Sequence, residues 1–108
     1  MAKKRIPKKV IHSIQSFIQE VERDNIPVQR VYLFGSYAKG TQHKWSDVDV
    51  CVISPKFTQP WKALEYLWQK RPKNIDPMIE PVGFSLKDFS VEGSALVAEI
   101  QNNGIRLR

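Results

Sequence analysis

The chain contains a single cysteine, Cys51, among 108 residues. One thiol excludes an intramolecular disulfide and the usual multi-cysteine zinc sites, and it fits a reducing, cytoplasmic setting. No apolar run approaches the length needed to span a bilayer, and no apolar signal segment follows the basic start. Internal repeats and low-complexity segments are missing too. A length of 108 residues suits one ordinary domain, and a hydrophobic share of 42% can build only a modest core.

Charge is present in excess but unevenly. The formal net charge is +6, from 17 Lys and Arg against 11 Asp and Glu. Lys3, Lys4, Arg5, Lys8 and Lys9 fall in the first nine residues, and the remainder carries a net of only +1. The chain therefore divides into a basic tail, 1–9, and one nearly neutral domain, 10–108. Without a helix-turn-helix, RNA-recognition or zinc pattern, a tail of this kind does not argue for nucleic acid.

Val10, Ile14, Phe17, Ile18 and Val21 recur at the spacing of one helical face, and Pro27 blocks continuation. Val31-Tyr32-Leu33-Phe34 is a β-branched and aromatic run stopped by Gly35. Asp47 to Ile53 reads as a strand with its valines on one face and Asp47, Asp49 and Cys51 on the other. Trp61 to Trp68 reads as a helix that packs Trp61, Leu64, Leu67 and Trp68 into the core. Residues 75–82 look extended despite Pro77 and Pro81, whose shared parity suits an edge strand. Val91 to Leu107 gives a final helix, with Gly104 as its stop. The order is that of a small mixed α/β domain.

Two stretches carry chemistry. In Asp47-Val48-Asp49 the carboxylates lie on one strand face, roughly 6–7 Å apart. That spacing suits a divalent cation, and hard oxygen ligands are the kind Mg²⁺ takes together with nucleotide phosphates. Ten residues separate this pair from Gly35-Ser36, where a strand ends in a turn whose backbone N–H groups and hydroxyl can hold a phosphate. Gly-Ser alone means nothing, and Asp-x-Asp alone is more often a solvated strand end. Together, in strand-turn and strand contexts, they should coincide by chance on the order of once in a hundred chains of this length. An EF-hand is excluded, because its third acid and its glycine are missing after Asp49. Trp45 reads as a packing residue, with cover for a nucleotide base as the other reading; His43 and Lys44 receive no role.

Gly35-Ser36-Tyr37-Ala38-Lys39-Gly40 followed by Ser46-Asp47-Val48-Asp49-Val50 resembles the signature of the DNA polymerase beta-like nucleotidyltransferase superfamily. The similarity is greatest to its minimal nucleotidyltransferases, single small domains often paired with a HEPN-domain protein. The resemblance implies an α/β (α+β) fold, a small mixed β-sheet with helices packed on it. It also implies ATP or another NTP as donor and Mg²⁺ as metal. Carried over residue by residue, Asp47 and Asp49 are metal ligands, Gly35 and Ser36 hold the triphosphate, and Lys39 stands where a phosphate contact is common. A solvated lysine explains Lys39 about equally well.

Such proteins usually add a third acid from a neighbouring strand, to bind the metal and take the proton of the attacking hydroxyl. Asp76 and Glu80 are the candidates. They share a face but lie roughly 13 Å apart along an extended strand, so only one can approach the pair. Glu80 fits the family's hydrophobic-acid-hydrophobic position better. The implied reaction transfers a nucleoside monophosphate, AMP from ATP, to a hydroxyl. A chain this short leaves no room for an acceptor domain, so the acceptor is expected on another molecule: a HEPN-type partner in a toxin–antitoxin pair. Two rivals stand beside that expectation. One is a non-catalytic antitoxin that acts by contact; the other is a self-associating enzyme that modifies a small molecule.

Overall fold

The computed structural model describes residues 6–72, 77–90 and 94–108. Most of the basic tail and the candidate Asp76 lie outside these residues, as does the expected start of the last helix at Val91. Among the described residues the elements run α1 (Lys8–Arg23), β1 (Arg30–Phe34), α2 (Ser36–Lys39), β2 (Val48–Ile53), α3 (Pro60–Lys70), β3 (Ile79–Phe84), α4 (Leu86–Phe89), α5 (Ala95–Asn103) and β4 (Ile105–Arg106).

The first helix forms as its periodicity predicts. Val10, Ile14, Phe17, Ile18 and Val21 are its buried residues, and each such burial is worth about 1.5–3 kcal/mol. Pro7 supplies the first carbonyl, accepting from Val10 N at 3.0 Å, while Asn25 turns the chain out with φ of 61°. Lys8 and Lys9 thus open this helix, so the basic run reaches into the folded domain.

The four strands stand in the order β3-β2-β1-β4. Strand β1 is antiparallel to both β2 and β4, whereas β2 and β3 are parallel. A parallel pair requires a crossover, and α3 provides it. The expected edge strand is an edge strand, shifted to Ile79–Phe84. Pro81 costs it no ladder bond. Its carbonyl accepts from Trp68 Nε1 at 3.1 Å, which shows that Pro81 turns its nitrogen and oxygen away from β2.

The alternation read in β2 divides two cores. Val48, Val50 and Val52 join Val31, Leu33 and Ile79 under α1 and α3. Cys51 and Ile53 join Phe34 and Phe89 under α4 and α5, with Val97 and Ile100 above them. Burial pushes the Cys51 thiol up to about 12, so it remains protonated and serves as a small apolar residue.

Three expectations are corrected. Helix α3 does not bury its aromatic stripe: Trp61 is 60% exposed, and Leu64 and Trp68 are each 38% exposed. Of the expected stripe only Leu67 is buried, and Ala63 joins it on the inward face. The reason lies on the opposing strand, where a Cβ at Gly83 would come within 2.8 Å of Phe57, 2.9 Å of Leu67 and 3.1 Å of Ala63. The bare glycine lets those three side chains settle onto β3 and rotates the helix. On the same helix, Tyr66 donates to Asp24 and Lys70 pairs with it at 2.9 Å, which lowers the pKa of Asp24 chiefly through the tyrosine.

Trp45 is the second correction, at 79% exposed with the Lys44 ammonium 5.2 Å above its ring. The third concerns the chain end. Helix α5 stops at Asn103, and Ile105–Arg106 pairs with Tyr32 and Leu33 as strand β4. Gly104 is extended, with φ of −73° and not left-handed. It is glycine because a Cβ would lie 2.4 Å from the Ile100 carbonyl oxygen.

Candidate active site

The acidic residues and the Gly-Ser turn meet where β1 ends and β2 begins. Gly35 follows β1 with φ of 72° and ψ of −151°, a conformation that side-chain-bearing residues avoid. Space forbids a side chain as well: a Cβ there would lie 2.1 Å from Asp49 Oδ2. The turn backbone is therefore packed against the carboxylate. Ser36 and Tyr37 open α2, so their N–H groups have no acceptor within the helix.

Asp47 immediately precedes β2, held by a tight turn. Ser46 is buried, and its Oγ accepts from His43 N at 2.9 Å while its own N–H donates to His43 O at 3.0 Å. The Trp45 N–H donates to His43 Nδ1 at 3.2 Å. Ser46, which the sequence reading quoted without giving it a role, thus sets the direction in which Asp47 leaves the turn.

Asp49 sits within β2, opposite Phe34 on one side and Glu80 on the other. Adjacent strands are about 4.8 Å apart, so the in-register Asp49 and Glu80 stand side by side. The two approach closely enough to share a hydrogen bond, and Asp47 also reaches Glu80. Burial, then the hydrogen bond and charge of Asp47, then Asp49, push Glu80 up to about 7. Burial also raises Asp49, with the charge of Asp47 adding to it and a hydrogen bond from Glu80 opposing it.

Asp49 and Glu80, both raised in pKa, with Asp47 beside them, are a set lacking positive charge. Among the described residues there is no group of three His, Cys, Asp or Glu side chains that could by itself hold a metal ion. Mg²⁺ does not require one, because it keeps water and takes substrate phosphates beside one or two carboxylates. The chemistry of the donors and their excess negative charge fit that ion; Asp47 and Asp49, with Glu80 beside them, are the residues that would hold it.

Lys39 is engaged elsewhere. Its ammonium lies 2.7 Å from Glu99 Oε1 of α5. The structure thus brings Gly35, Asp47, Asp49 and Glu80 together at one end of the sheet. It sends Lys39 to a neighbouring helix, and Asp76 lies outside the described residues.

This fold and this arrangement define a nucleotidyltransferase, and the sequence profile of the nucleotidyltransferase domain matches residues 14–94. The chain belongs to that family. A stretch of 33 residues is 61% identical to the protein adenylyltransferase MntA of Shewanella oneidensis; it covers 30% of this chain and 24% of that protein. The crystal structure of a toxin–antitoxin with AMP-PNP contains a chain 33% identical, with a TM-score of 0.62, covering 87% of this chain and 72% of that one. A Sulfolobus solfataricus chain assigned to the nucleotidyltransferases shares the fold over 98% of this chain and 89% of its own, with a TM-score of 0.60 at 16% identity.

Proposed function

We propose that this protein transfers AMP from ATP to a hydroxyl group on a partner protein and that it serves as the antitoxin of a toxin–antitoxin pair. The observation that carries this reading is the juxtaposition of Asp47, Asp49 and Glu80 with a turn that only glycine can form. Its names come from its relatives, one an adenylyltransferase and one solved as a toxin–antitoxin with AMP-PNP. A HEPN-type acceptor is the partner that the sequence resemblance implies.

In this reading the Gly35–Ser36 turn binds the triphosphate through backbone N–H groups and the serine hydroxyl. Asp47 and Asp49 hold the Mg²⁺–nucleotide complex, with Glu80 completing the set. The cation supplies charge neutralisation on the phosphates and orients them. Glu80 accepts the proton of the incoming hydroxyl, a task open to a carboxylate that a neighbouring cation keeps ionised. The hydroxyl oxygen forms a bond to the α-phosphorus, the bond from that phosphorus to the β-phosphate oxygen breaks, and pyrophosphate leaves. Because the described domain is occupied by the donor side, the acceptor arrives on a second molecule. Among the described residues no helix is long and apolar enough to cross a membrane.

Intact mass spectrometry of both proteins after incubation with Mg²⁺ and ATP tests the reading. A gain of one AMP on the partner, lost in Asp49→Asn, supports it. Neutralisation of the partner by Asp49→Asn with no change of mass would replace it with inhibition by contact.

A further inference from the structure

Helix α2 is a four-residue helix, Ser36–Lys39, that begins at the glycine turn and ends at Gly40 in the left-handed conformation. An element so short cannot hold its position by its own hydrogen bonds. Ala38 is its buried residue, and Lys39 at its far end reaches across to α5. There Glu99 uses both oxygens: Oε1 pairs with Lys39 Nζ at 2.7 Å, and Oε2 accepts from Asn103 Nδ2 at 3.0 Å. Those two partners lower the pKa of Glu99, with Lys39 the larger cause.

Glu99 stands on a fixed post. Helix α5 is capped by Ser94, whose Oγ accepts from Val97 N at 3.2 Å. Gln101 Nε2 donates to the Phe89 carbonyl at 2.8 Å, and Val97 and Ile100 are buried under the face of the sheet that carries Asp49 and Cys51. The ion pair therefore ties the end of the glycine turn to the part of the core beneath the acidic strand.

We propose that Glu99 is a positioning residue for the nucleotide: by clasping Lys39 it fixes α2, and through α2 the Gly35–Ser36 turn, at the separation from Asp49 that the triphosphate and its cation require. The proposal rests on the reading of Gly35–Ser36 as the triphosphate-binding turn. It also changes the role of Lys39, which acts through Glu99 and not on a phosphate. Such a clasp adds modestly to affinity, because exposed ion pairs alter an equilibrium by roughly two- to fivefold.

A double-mutant cycle on Mg²⁺–AMP-PNP binding tests it, with calorimetry on the full chain and thermal melting as the check on folding. The clasp predicts that Glu99→Gln and Lys39→Met each raise the dissociation constant roughly two- to fivefold at unchanged melting temperature. The double variant is no worse than either single one, and the difference between wild type and Glu99→Gln vanishes in about 1 M salt, where exposed pairs are screened. A large loss in Lys39→Met with unchanged or tighter binding in Glu99→Gln would overturn the proposal, since Lys39 would then be a phosphate ligand that Glu99 withholds. Binding that is insensitive to Gly35→Ala would instead show that the turn is not the nucleotide site, and the underlying reading would fall with the clasp.

Discussion

At Gly35 two independent constraints fall on one residue. Its φ of 72° disfavours any side chain, and the space for a Cβ is taken by Asp49 Oδ2 at 2.1 Å. A residue held in such a backbone region costs on the order of 1–3 kcal/mol when it is not glycine. Gly35→Ala is therefore expected to lower the melting temperature and displace Asp49, reducing nucleotidyl transfer by more than about a hundredfold, as a misplacement near 1 Å can do. Steady-state kinetics beside a thermal melt will show whether activity falls much further than stability. Glu80 gives a second residue-level prediction, in pH. Its folded pKa is raised from 4.5 to about 7, so the folded protein binds the proton more tightly than the unfolded chain does. Its contribution to stability is then greatest below about pH 4.5 and declines as pH rises through 7, the sign for any acid whose folded pKa is raised. Without metal, the melting temperature should fall between pH 5 and 8, with a smaller fall in Glu80→Gln. Mg²⁺ should restore more at pH 8 than at pH 5. A flat profile in wild type would show that the three carboxylates do not interact.

Among the elements, α1 and α3 show what a sequence does and does not disclose. The apolar period of α1 lies within α1, so its buried face could be read directly. The face of α3 is chosen by Gly83, on a strand that follows it in the chain, and a helical wheel holds no information about that glycine. Truncations should reveal the difference: Leu67→Ala is expected to cost about 2–5 kcal/mol, whereas Trp61→Ala stays within about 0.5 kcal/mol. Urea denaturation of the two variants measures both. A costly Trp61→Ala would mean that the larger aromatic, and not Leu67, faces the core. Strand β4 was hidden for a related reason. Two residues paired only with Tyr32 and Leu33 have no pattern of their own, so the apolar end of the chain read as more helix. The acidic pair and the glycine turn were legible because both are local motifs. The register that sets Glu80 beside Asp49 was not legible, since it depends on how β3 slides along β2. The tie from Lys39 to Glu99 spans most of the chain and left no local trace.

On the scale of the whole molecule, the sheet order brings together one end of β1, β2 and β3, so the glycine and three acids from separate stretches share one place. The excess charge has less to do with this place than the composition suggests. What the site lacks is positive charge, which a divalent cation would supply. The central claim is that Asp47, Asp49 and Glu80 form a single cation-dependent nucleotide site, and calorimetric titration with AMP-PNP near pH 7 tests it most directly. Binding should require Mg²⁺ and disappear in Asp47→Asn and Asp49→Asn. It should also release a fraction of a proton, detectable by repeating the titration in buffers of different ionisation enthalpy, because cation ligands must be deprotonated; in Glu80→Gln that release is lost. Nucleotide binding that is indifferent to Mg²⁺ and unchanged in both aspartate variants would contradict the account.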